Sequence, residues 1–455
     1  MSGMTSRALY LSNVSTSYLQ IGGRVLVMFF LTPFLLARLG QEQYGIWVLL
    51  ASILAYFEFS DFGFTTTLAR ELPQRRARGD QEGISATISS IFFAFLILLA
   101  ILTPIAWGLS HLLGGVFRVD PGQVETARTT FLLVFGAFVV GFEKRVFEAA
   151  INATERLYLT HLLAAAYNVA YGVTFYLIAA SGGGVRELAI GLLGLSGAGA
   201  FASYIVARRA LGFTLSARLF DKAIPRRMWS SSVFYFIAGF STTIILHSDN
   251  LVLSAFLGAS TVAVYAVAYR FVDLFRVLVG RLVDVIFPQV AAASALGDGT
   301  QLRSLAVRFV GLSALAAGAI GTVLYFLGYA VLGWWIGADN LIGRDVYNVF
   351  IVYFILHSLT HASGLFIGAM GIHKPIALVG IGEASANIVL SLILIGPLGP
   401  LGVALATVVA HVGGTGWFAH FHLCRALWGR RAIAIAGAPA TAGISPEAVL
   451  ESRVQ

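Results

Sequence analysis

The chain has 455 residues, of which 58% are hydrophobic and only 11% are charged, and its mean hydropathy is +0.83. A soluble protein carries about a quarter charged residues, so this composition predicts a membrane protein and excludes a soluble one. The net charge of +8 does not indicate nucleic-acid binding, because the Lys and Arg residues fall in short loops between apolar stretches. The single cysteine, Cys424, excludes an internal disulfide framework and a cysteine-rich metal site.

Apolar stretches long enough to cross a bilayer, about 20 residues each, recur through the chain and predict twelve spans. The first half holds stretches at 13–37, 44–69, 84–113, 126–151, 157–180 and 187–211. The second half holds stretches at 229–257, 260–287, 303–336, 345–370, 375–397 and 400–424. We therefore expect an all-α membrane protein with two six-helix lobes, at 1–212 and 229–431, joined by a cytoplasmic linker at 213–228.

The two ends of the chain are also predicted from composition. Residues 432–455 are rich in Ala, Gly and Pro and lack a helical pattern, which predicts a disordered cytoplasmic tail. We expect no cleavable signal peptide, because residues 1–17 are polar and lack a short apolar core before a cleavage site.

A short pattern in the first half of the chain recurs in the second. Leu39-Gly40 is matched by Leu257-Gly258, and Gly79-Asp80 by Gly297-Asp298, at an offset of about 215–218 residues, close to half the chain. The matches are colinear, which favours an internal duplication over chance similarity. Six spans per half is an even number, so both halves enter the membrane from the same side. The repeat is then parallel, with its pseudo-twofold axis along the membrane normal.

The distribution of basic residues predicts the orientation in the membrane. One set of alternate loops holds most of them, including Arg75-Arg76 and those of the linker. The other set holds Arg38, Arg118, Arg128, Arg186 and Arg344. Because Lys and Arg accumulate in cytoplasmic loops, we expect a multi-pass protein with both termini in the cytoplasm.

Polar residues inside the spans fall on narrow helical faces, at about 100° per residue. Ionisable groups in hydrocarbon are costly and usually face a bundle interior or an aqueous cavity. Four faces carry them: Asn13, Ser17, Gln20 and Arg24 on span 1; Glu58, Asp61 and Thr65 on span 2; Ser231, Tyr235, Thr242 and Asp249 on span 7; and Arg270, Asp273, Arg281 and Asp284 on span 8. Together they predict the walls of a water-filled central cavity between the lobes.

Two of these faces also have a structural interpretation. The residues of span 8 can form two ion pairs, Arg270–Asp273 and Arg281–Asp284, each at i,i+3 spacing, and pairing is compatible with lining a cavity. Asp61, in an Asp-Phe-Gly turn, can instead stabilise the end of a helix.

A group of oxygen-bearing residues lies in the second half. Span 7 offers Asp249, span 11 offers Glu383 and Asn387 at i,i+4 on one face, and span 12 offers Thr407. Two carboxylates and two neutral oxygens can bind a hard cation, or can act as a protonatable pair if burial keeps one carboxyl neutral. Alternatively, Asp249 caps a break in span 7 and Glu383 only braces helix packing.

Other motifs indicate little further chemistry. His357 and His361 lie at i,i+4 on span 10, but the Glu of a His-Glu-x-x-His zinc site is absent, so a structural or gating role is favoured over a metal site. The sequence has no Walker A motif and no Gly-x-Ser-x-Gly elbow. We therefore expect neither an enzyme nor a bound cofactor. Energy coupling would come from a Na⁺ or H⁺ gradient, or from downhill consumption of the transported molecule.

A longer pattern resembles a known family. Leu39-Gly40-x3-Tyr44-Gly45-Ile46-Trp47, followed by Asp61-Phe62-Gly63, Pro73-Gln74 and Gly79-Asp80, resembles the polysaccharide-export branch of the multidrug/oligosaccharidyl-lipid/polysaccharide (MOP) transporter superfamily. The segment Asn250-Leu251-Val252-Leu253-Ser254-x2-Leu257-Gly258 extends the resemblance into the second half. It covers the membrane region to about Arg425.

The resemblance implies a V-shaped flippase of the bacterial plasma membrane that alternates between inward-open and outward-open states. The implied cargo is an oligosaccharide on a polyprenyl diphosphate carrier, with a polymerase or glycosyltransferases of the same pathway as partners. The family's cationic cavity is matched in kind and position by Arg24 and Arg270, and a guanidinium can grip a diphosphate with two parallel hydrogen bonds.

Two alternatives stay open. A multidrug cation antiporter of the same superfamily would need a more acidic and aromatic cavity. A membrane glycosyltransferase or polymerase would need acidic catalytic residues on a substantial outer loop.

Overall fold

The computed structural model describes residues 6–428, and within that range the side chains of residues 6–8, 10, 14, 59, 66, 227–239, 242, 373 and 374 are not described. The described chain forms helices and turns without a β-strand, which confirms the all-α prediction. The predicted tail at 432–455 and the side chains of Ser231, Tyr235 and Thr242 lie outside the described residues.

The first half folds into the N-lobe, and helical structure lies at each span predicted there. Its helices are α1 (Ser6–Phe57), α2 (Phe64–Ala77), α3 (Gln81–Val116), α4 (Val124–Asn152), α5 (Leu157–Ala180) and α6 (Val185–Leu211). α1 contains two predicted spans, separated by a kink at Gly40, where φ is 74° and ψ is 170°. A residue without a Cβ adopts this backbone conformation most readily.

The predicted span at 44–69 is not one continuous helix. α1 ends at Phe57, a 3-10 turn follows at Glu58–Asp61, and Gly63 has a positive φ before α2 begins. The Asp61 carboxylate accepts hydrogen bonds from the Gly63 N–H at 3.0 Å and from the Thr65 hydroxyl at 2.6 Å. These short-range bonds stabilise a turn rather than a continuing helix. The geometry therefore supports the structural interpretation of Asp61, at a helix end.

The second half folds into the C-lobe, which has the same sequence of spans with more interruptions. Its helices are α7 (Ala223–Leu257), α8 (Ala259–Asp284), α9 (Phe287–Ala295), α10 (Gly299–Val323), α11 (Tyr329–Ile336), α12 (Arg344–Ala369), α13 (His373–Leu398), α14 (Pro400–His411) and α15 (Trp417–Trp428). π-helical turns at Leu324–Gly328 and Val412–Gly416 join α10 to α11 and α14 to α15. Each joined pair occupies one predicted span.

Eight helical stretches of the described chain are long and apolar enough to cross a membrane by length and composition. One of them, Leu11–Phe57, contains both predicted spans of α1. The chain is therefore a multi-pass membrane protein.

The two halves repeat the same backbone turns. Gly258 follows α7 with φ 89° and ψ 169°, close to the values at Gly40. Asp80 and Asp298 each accept a hydrogen bond at 2.8 Å from the N–H three residues later, and so cap α3 and α10. The glycine before each aspartate has a φ of 68°. The duplication predicted from the sequence is thus present in the backbone.

One end of the molecule is called here the Gly40 end because it holds Gly40 and Gly258. The opposite end, which holds the turns at Asp80 and Asp298, is called the Asp80 end. A hydrophobic core joins the lobes towards the Gly40 end, where buried residues of α1 and α5 pack with buried residues of α8 and α12. A space between the lobes lies next to this core, on the side of the Asp80 end.

Candidate transport cavity

A cavity of about 610 Å³ lies between the lobes. α1, α5 and α6 supply its N-lobe wall, and α7, α8 and α14 supply its C-lobe wall. The charged residues of the lining are Arg24, Asp249, Arg270, Asp273 and Arg276, and the aromatic ones are Trp47, Tyr167, Tyr171, Tyr265 and Tyr269. Three of the polar faces predicted from the sequence, on spans 1, 7 and 8, therefore each supply at least one residue to the same cavity.

Arg24 and Arg270 bring positive charge to the cavity from different lobes. Arg24 is exposed, and Arg270 is half-buried with its Nη1 donating to the Tyr44 hydroxyl at 3.1 Å. Within the described part of the chain, neither guanidinium forms an ion pair with a carboxylate. Both charges are therefore available to an anion in the cavity.

The predicted ion pair Arg270–Asp273 is wrong. Asp273 instead accepts a hydrogen bond from Nε of Arg276, and Nη1 of Arg276 lies 3.3 Å from Nε2 of His357. The sequence pattern misses Arg276 because this residue lies about 120° around α8 from Arg270 at about 100° per residue, outside the narrow polar face. The sequence signal for Arg276 is Asp273, because a carboxylate three residues earlier on a helix can pair with an arginine.

The other predicted residues of span 1 do not line this cavity. The Asn13 amide donates to the Glu155 carbonyl at 3.1 Å, and its oxygen accepts from the Tyr158 N–H at 2.8 Å. The carbonyl of Gln20 accepts from Asn168 at 3.4 Å. These bonds attach the N-terminal part of α1 to α5 and to the turn before it, within the N-lobe. Ser17 lies between them on the half-buried part of the helix, so Arg24 is the member of the face that reaches the cavity.

Glu58 lies in an adjoining pocket of about 280 Å³, which shares Trp47, Ala51 and Leu192 with the central cavity. Its carboxylate is 3.3 Å from Nη2 of Arg145, and the Nη1 of the same guanidinium donates to the Glu58 carbonyl at 2.9 Å. The Glu58 charge is therefore neutralised at the edge of the cavity rather than presented to its centre.

The second predicted pair on α8, Arg281–Asp284, is present at 3.4 Å. Asp284 also contacts Nε2 of His361 at 2.8 Å, and the Arg281 side chain is 62% exposed. Neither residue lines the central cavity, because both lie in the last turns of α8, towards the Asp80 end. The structural interpretation applies to this pair and to His361.

Asp249 is the centre of a buried hydrogen-bonded group that contains two more of the predicted cation-site residues. Its Oδ2 accepts from the Tyr265 hydroxyl at 2.8 Å and from the Thr407 hydroxyl at 3.0 Å. Thr407 accepts from the Asn387 amide at 2.8 Å, and Oδ1 of Asn387 accepts from Ser248 at 2.9 Å. Oδ1 of Asp249 is buried without a hydrogen-bond partner. Asp249, Asn387 and Thr407 are called here the Asp249 cluster.

Glu383 does not join this cluster, contrary to the prediction. Its Oε1 lies 2.9 Å from Nδ1 of His411, and its Oε2 accepts from the N–H of Thr415 at 2.7 Å and from the Thr415 hydroxyl. The π-helical turn at Val412–Gly416 directs that N–H towards the carboxylate and so fixes the partner. Glu383 and His411 are called here the Glu383–His411 pair. The sequence signal for it is the group of glycines at positions 413, 414 and 416, shortly after His411, which marks a helix break.

No group of three or more His, Cys, Asp and Glu side chains able to hold a metal ion is present in the described chain. His357 and His361, predicted to be structural, contact Arg276 and Asp284 respectively and do not converge on a shared site.

Comparison with known proteins supplies a family and a fold. Residues 12–293 match the model of a family described as "Polysaccharide biosynthesis protein". The uncharacterized membrane protein EpsK of Bacillus subtilis (strain 168) is 24% identical over 404 residues, which cover 85% of this chain and 77% of that protein.

Two solved structures share the backbone arrangement. One is the inward-facing conformation of a multidrug resistance MATE family transporter of the MOP superfamily, with a TM-score of 0.74 and 16% identity, over 93% of this chain and 100% of the other. The other is the lipid II flippase MurJ in its inward closed conformation, with a TM-score of 0.71 and 16% identity, over 93% of this chain and 90% of the other. At these identities the similarity establishes the fold.

Proposed function

The chain belongs to the polysaccharide biosynthesis protein family, and we propose that it is a flippase for a polyprenyl-diphosphate-linked oligosaccharide, moved from the inner to the outer leaflet of the bacterial plasma membrane. Its fold is that of MOP-superfamily membrane transporters rather than that of an enzyme. The observation that carries the proposal is the cavity between the lobes, to which Arg24 and Arg270 present positive charge without a neutralising carboxylate.

The head group of such a cargo matches these arginines in charge and geometry. A diphosphate carries several acceptor oxygens, and guanidinium groups bind such oxygens with two parallel, permanently charged hydrogen bonds. Arg24 belongs to α1 of the N-lobe and Arg270 to α8 of the C-lobe. A head group held by both would connect the lobes, so cargo binding would favour the lobe arrangement in which both contacts are made.

The remaining wall suits a sugar chain. Tyr167 and Tyr269 offer hydroxyl groups and ring faces, and Asn168 and Asn250 offer amide groups, all at the cavity surface. Polar walls of this kind allow a hydrated oligosaccharide to enter the membrane region. The polyprenyl chain would stay in the bilayer beside the lobes.

The arrangement of the lobes supports alternating access from a defined side. The Ser260 hydroxyl of the C-lobe donates to Glu42 of the N-lobe at 2.6 Å, and α1 and α8 are in backbone contact at Gly45 and Ala259. The molecule is thus closed at the Gly40 end. With the basic Asp80 end and both termini in the cytoplasm, this state would receive cargo from the inner leaflet.

A cation gradient is the proposed driving force, through the Asp249 cluster. Oδ1 of Asp249 has no protein partner, and oxygens of Asn387 and Thr407 lie in the same hydrogen-bonded group. Oxygen atoms of this kind suit a hard cation such as Na⁺, and a proton on Asp249 is the alternative. Because Asp249 also lines the cavity, cation binding there can influence cargo binding.

The test is the loss of transport in arginine variants. Arg24→Ala and Arg270→Ala are each expected to reduce flipping of a fluorescent prenyl-diphosphate disaccharide in proteoliposomes by about tenfold or more, since a charge-assisted hydrogen bond contributes about 1.5–3 kcal/mol. Arg→Lys at either position should retain partial activity, because a point charge loses the paired geometry. Arg281→Ala, an exposed arginine on the same helix outside the cavity, is the matched control. Wild-type flipping in both cavity variants would contradict the proposal.

A multidrug cation antiporter is the second candidate, favoured by the two carboxylates of the cavity, Asp249 and Asp273. Asp273 is already paired with Arg276, however, and Oδ2 of Asp249 is occupied by two hydroxyl groups. An organic cation would find Arg24 and Arg270 in the same space. Transport of a cationic dye that is lost in Asp273→Asn but kept in Arg270→Ala would favour the antiporter.

A further inference from the structure

The Glu383–His411 pair is buried inside the C-lobe, between α12, α13 and α14. The exposed fraction of the side chain is 3% for Glu383 and 1% for His411. An ionised carboxylate beside a neutral imidazole is one negative charge in the interior of the membrane, and such a charge is costly. Uptake of one proton makes the pair neutral overall. The location therefore favours a proton on this pair.

The surroundings keep the pair hydrogen-bonded with and without that proton. When His411 is neutral, its Nδ1–H donates to Glu383 and its Nε2 accepts from the Thr360 hydroxyl at 3.0 Å. When His411 is protonated, its Nε2–H donates to the Thr360 oxygen, and that hydroxyl donates to the Leu356 carbonyl, also 3.0 Å away. A buried group is penalised when it loses a hydrogen bond, and neither state loses one here. Binding and release of the proton therefore cost no hydrogen bond.

The backbone is deformed around the carboxylate. Gly414, inside the π-helical turn, leaves the helical region with φ −102° and ψ −119°. A Cβ on Gly414 would lie 2.7 Å from the Cβ of Glu383, so no larger residue fits beside the carboxylate. The same turn supplies the N–H of Thr415 to Glu383. π-helical turns occur frequently at functional sites, and this one serves the pair.

A series of side-chain contacts connects the pair to the central cavity. The rings of His411 and His357 have their centroids 5.3 Å apart, and Nε2 of His357 lies 3.3 Å from Nη1 of Arg276. Arg276 lines the cavity together with Asp273. An anion bound in this cavity and a proton on His411 have opposite charges in a medium of low dielectric constant, so they attract each other.

The neighbouring groups identify His411 as the ring that gains the proton. The elements around the pair carry further titratable and charged groups, among them His247 and Asp249 on α7, Asp273 and Arg276 on α8, Tyr353, His357 and His361 on α12, and His420 on α15. A guanidinium only donates hydrogen bonds, so Nε2 of His357 must accept from Arg276 and carry no proton. His361 is bound to Asp284, and His420 contacts the Gly416 carbonyl.

We propose that the Glu383–His411 pair is a proton-binding site, and that a proton there and an anionic head group in the cavity favour each other's binding. The second part rests on the proposed function, and the first part does not. Because coupling between two binding sites is reciprocal, the head group should bind more tightly at low pH and should take up protons when it binds. This site is separate from the Asp249 cluster.

The proton site is tested by counting protons taken up by the purified protein in detergent between pH 8 and pH 5, the range in which histidine titrates. Wild type is expected to take up about one proton per chain more than Glu383→Gln. An ordinary glutamate carboxyl does not titrate between pH 8 and pH 5, so its loss alone would produce no such difference. The double variant, Glu383→Gln with His411→Gln, should lose about one proton rather than two, because the proton is shared. Glu187→Gln, a helix-capping glutamate of the N-lobe, is the control and should lose none.

An unchanged count in Glu383→Gln, or a loss of two protons in the double variant, would overturn the proton site. Should Glu383→Gln fail to fold, substitutions at Thr360 decide the matter. Thr360→Val removes the hydroxyl that accepts from protonated His411, so proton uptake should move to lower pH. Thr360→Ser keeps the hydroxyl and should behave as wild type, and equal titrations of the two variants would contradict the proposal.

The linkage is tested with farnesyl diphosphate as the probe, in calorimetric titrations with two buffers that differ in ionisation enthalpy. Wild type should take up more protons on binding than Glu383→Gln. Protons that the probe itself gains or loses contribute equally in both proteins, so they cancel in this comparison. The affinity of wild type should rise about fivefold or more from pH 8 to pH 6 relative to that variant. Equal proton uptake in both proteins overturns the linkage. Failure of the probe to bind overturns the linkage together with the head-group site, while the proton count alone decides the proton site.

Discussion

Asp80 shows at the residue scale how a charged side chain is held outside the membrane spans. Its Oδ1 accepts from the Gly83 N–H at the start of α3, and its Oδ2 lies 2.8 Å from Nη1 of Arg75. Both partners favour the ionised form, so the Gly83 N–H first, and the Arg75 guanidinium next, lower the pKa of the Asp80 carboxyl below its ordinary value. Asp298 makes the same cap on Gln301 in the second half.

We expect Asp80→Asn to lower the melting temperature at pH 7, because Asn keeps the cap but loses the charge opposite Arg75. The folded-state pKa of Asp80 is lowered, so its contribution is present above the unfolded-state pKa of about 3.9. That contribution is lost as the pH falls through the lowered folded-state value. Melting curves of the detergent-solubilised protein should therefore show a gap between wild type and variant that is full above about pH 5 and closes below pH 4. Asp298→Asn is the matched control, with a smaller gap expected, and a gap for Asp80→Asn that persists unchanged at pH 3 would contradict the prediction.

The residue-scale predictions from the sequence succeed or fail according to how far a side chain reaches. Helical angle alone predicts that Arg24, Arg270 and Asp249 line a cavity, since the polar face of a span in hydrocarbon has to face the interior. Angle alone misses Arg276, because a long side chain can reach a cavity from the flank of a helix. It also places Glu383 with the wrong partners.

Glycines determine the interruptions of the helices at the element scale, and the sequence predicts these unevenly. Gly40 and Gly258 fall at the predicted span boundaries and have matching backbone angles. Gly63 and Gly414 lie inside predicted spans, where hydropathy gives no sign of a break. Their effect depends on side chains that bond to the freed backbone, Asp61 and Glu383 respectively. Such pairings are tertiary information, so hydropathy does not contain them.

Gly45 provides the test at this scale, because its missing side chain allows α1 and α8 to touch at Ala259. Gly45→Ala should separate the lobes at the Gly40 end and favour the state that is open there, since a Cβ would overlap the facing backbone. The measurement is the labelling rate of Gln41→Cys, in a Cys424→Ser background, by an impermeant thiol reagent added outside intact cells. The rate should rise several-fold.

Gly108→Ala on α3 is the matched control, since a Cβ there meets open space, and it should leave the labelling rate unchanged. Equal rates with alanine at either position would show that the contact at Gly45 does not hold the lobes together. Absence of labelling in every background would contradict an external Gly40 end.

At the scale of the whole molecule, the sequence predicts the internal repeat from its colinear motifs and the membrane-spanning helices from their hydropathy. The sequence does not predict that the buried polar residues of the C-lobe form two groups, the Asp249 cluster and the Glu383–His411 pair. Asn387 and Glu383 lie one turn apart on α13, yet Asn387 bonds to Thr407 and Glu383 to His411, four residues further along the chain. The C-lobe thus holds two neighbouring sites, one of which, the Asp249 cluster, reaches the cavity surface through Asp249.

This separation leads to a prediction about energy coupling. With a Na⁺ gradient imposed on proteoliposomes at equal pH on both sides, wild-type flipping should be several-fold faster than without the gradient. Asp249→Asn should remove the acceleration while leaving a basal rate, because the amide keeps the size of the side chain but loses the charge that favours a cation. Glu383→Gln should keep the acceleration by Na⁺, since the Glu383 carboxylate is bonded to His411 and Thr415 and makes no described hydrogen bond to the Asp249 cluster.

A proton gradient without Na⁺ is the comparison condition. If this gradient accelerates wild-type flipping and Asp249→Asn removes the acceleration, the proton is the driving ion at the same carboxylate. Full acceleration in Asp249→Asn under both gradients would exclude the cluster as the coupling site, and loss of Na⁺ acceleration in Glu383→Gln would show that the two groups act as one.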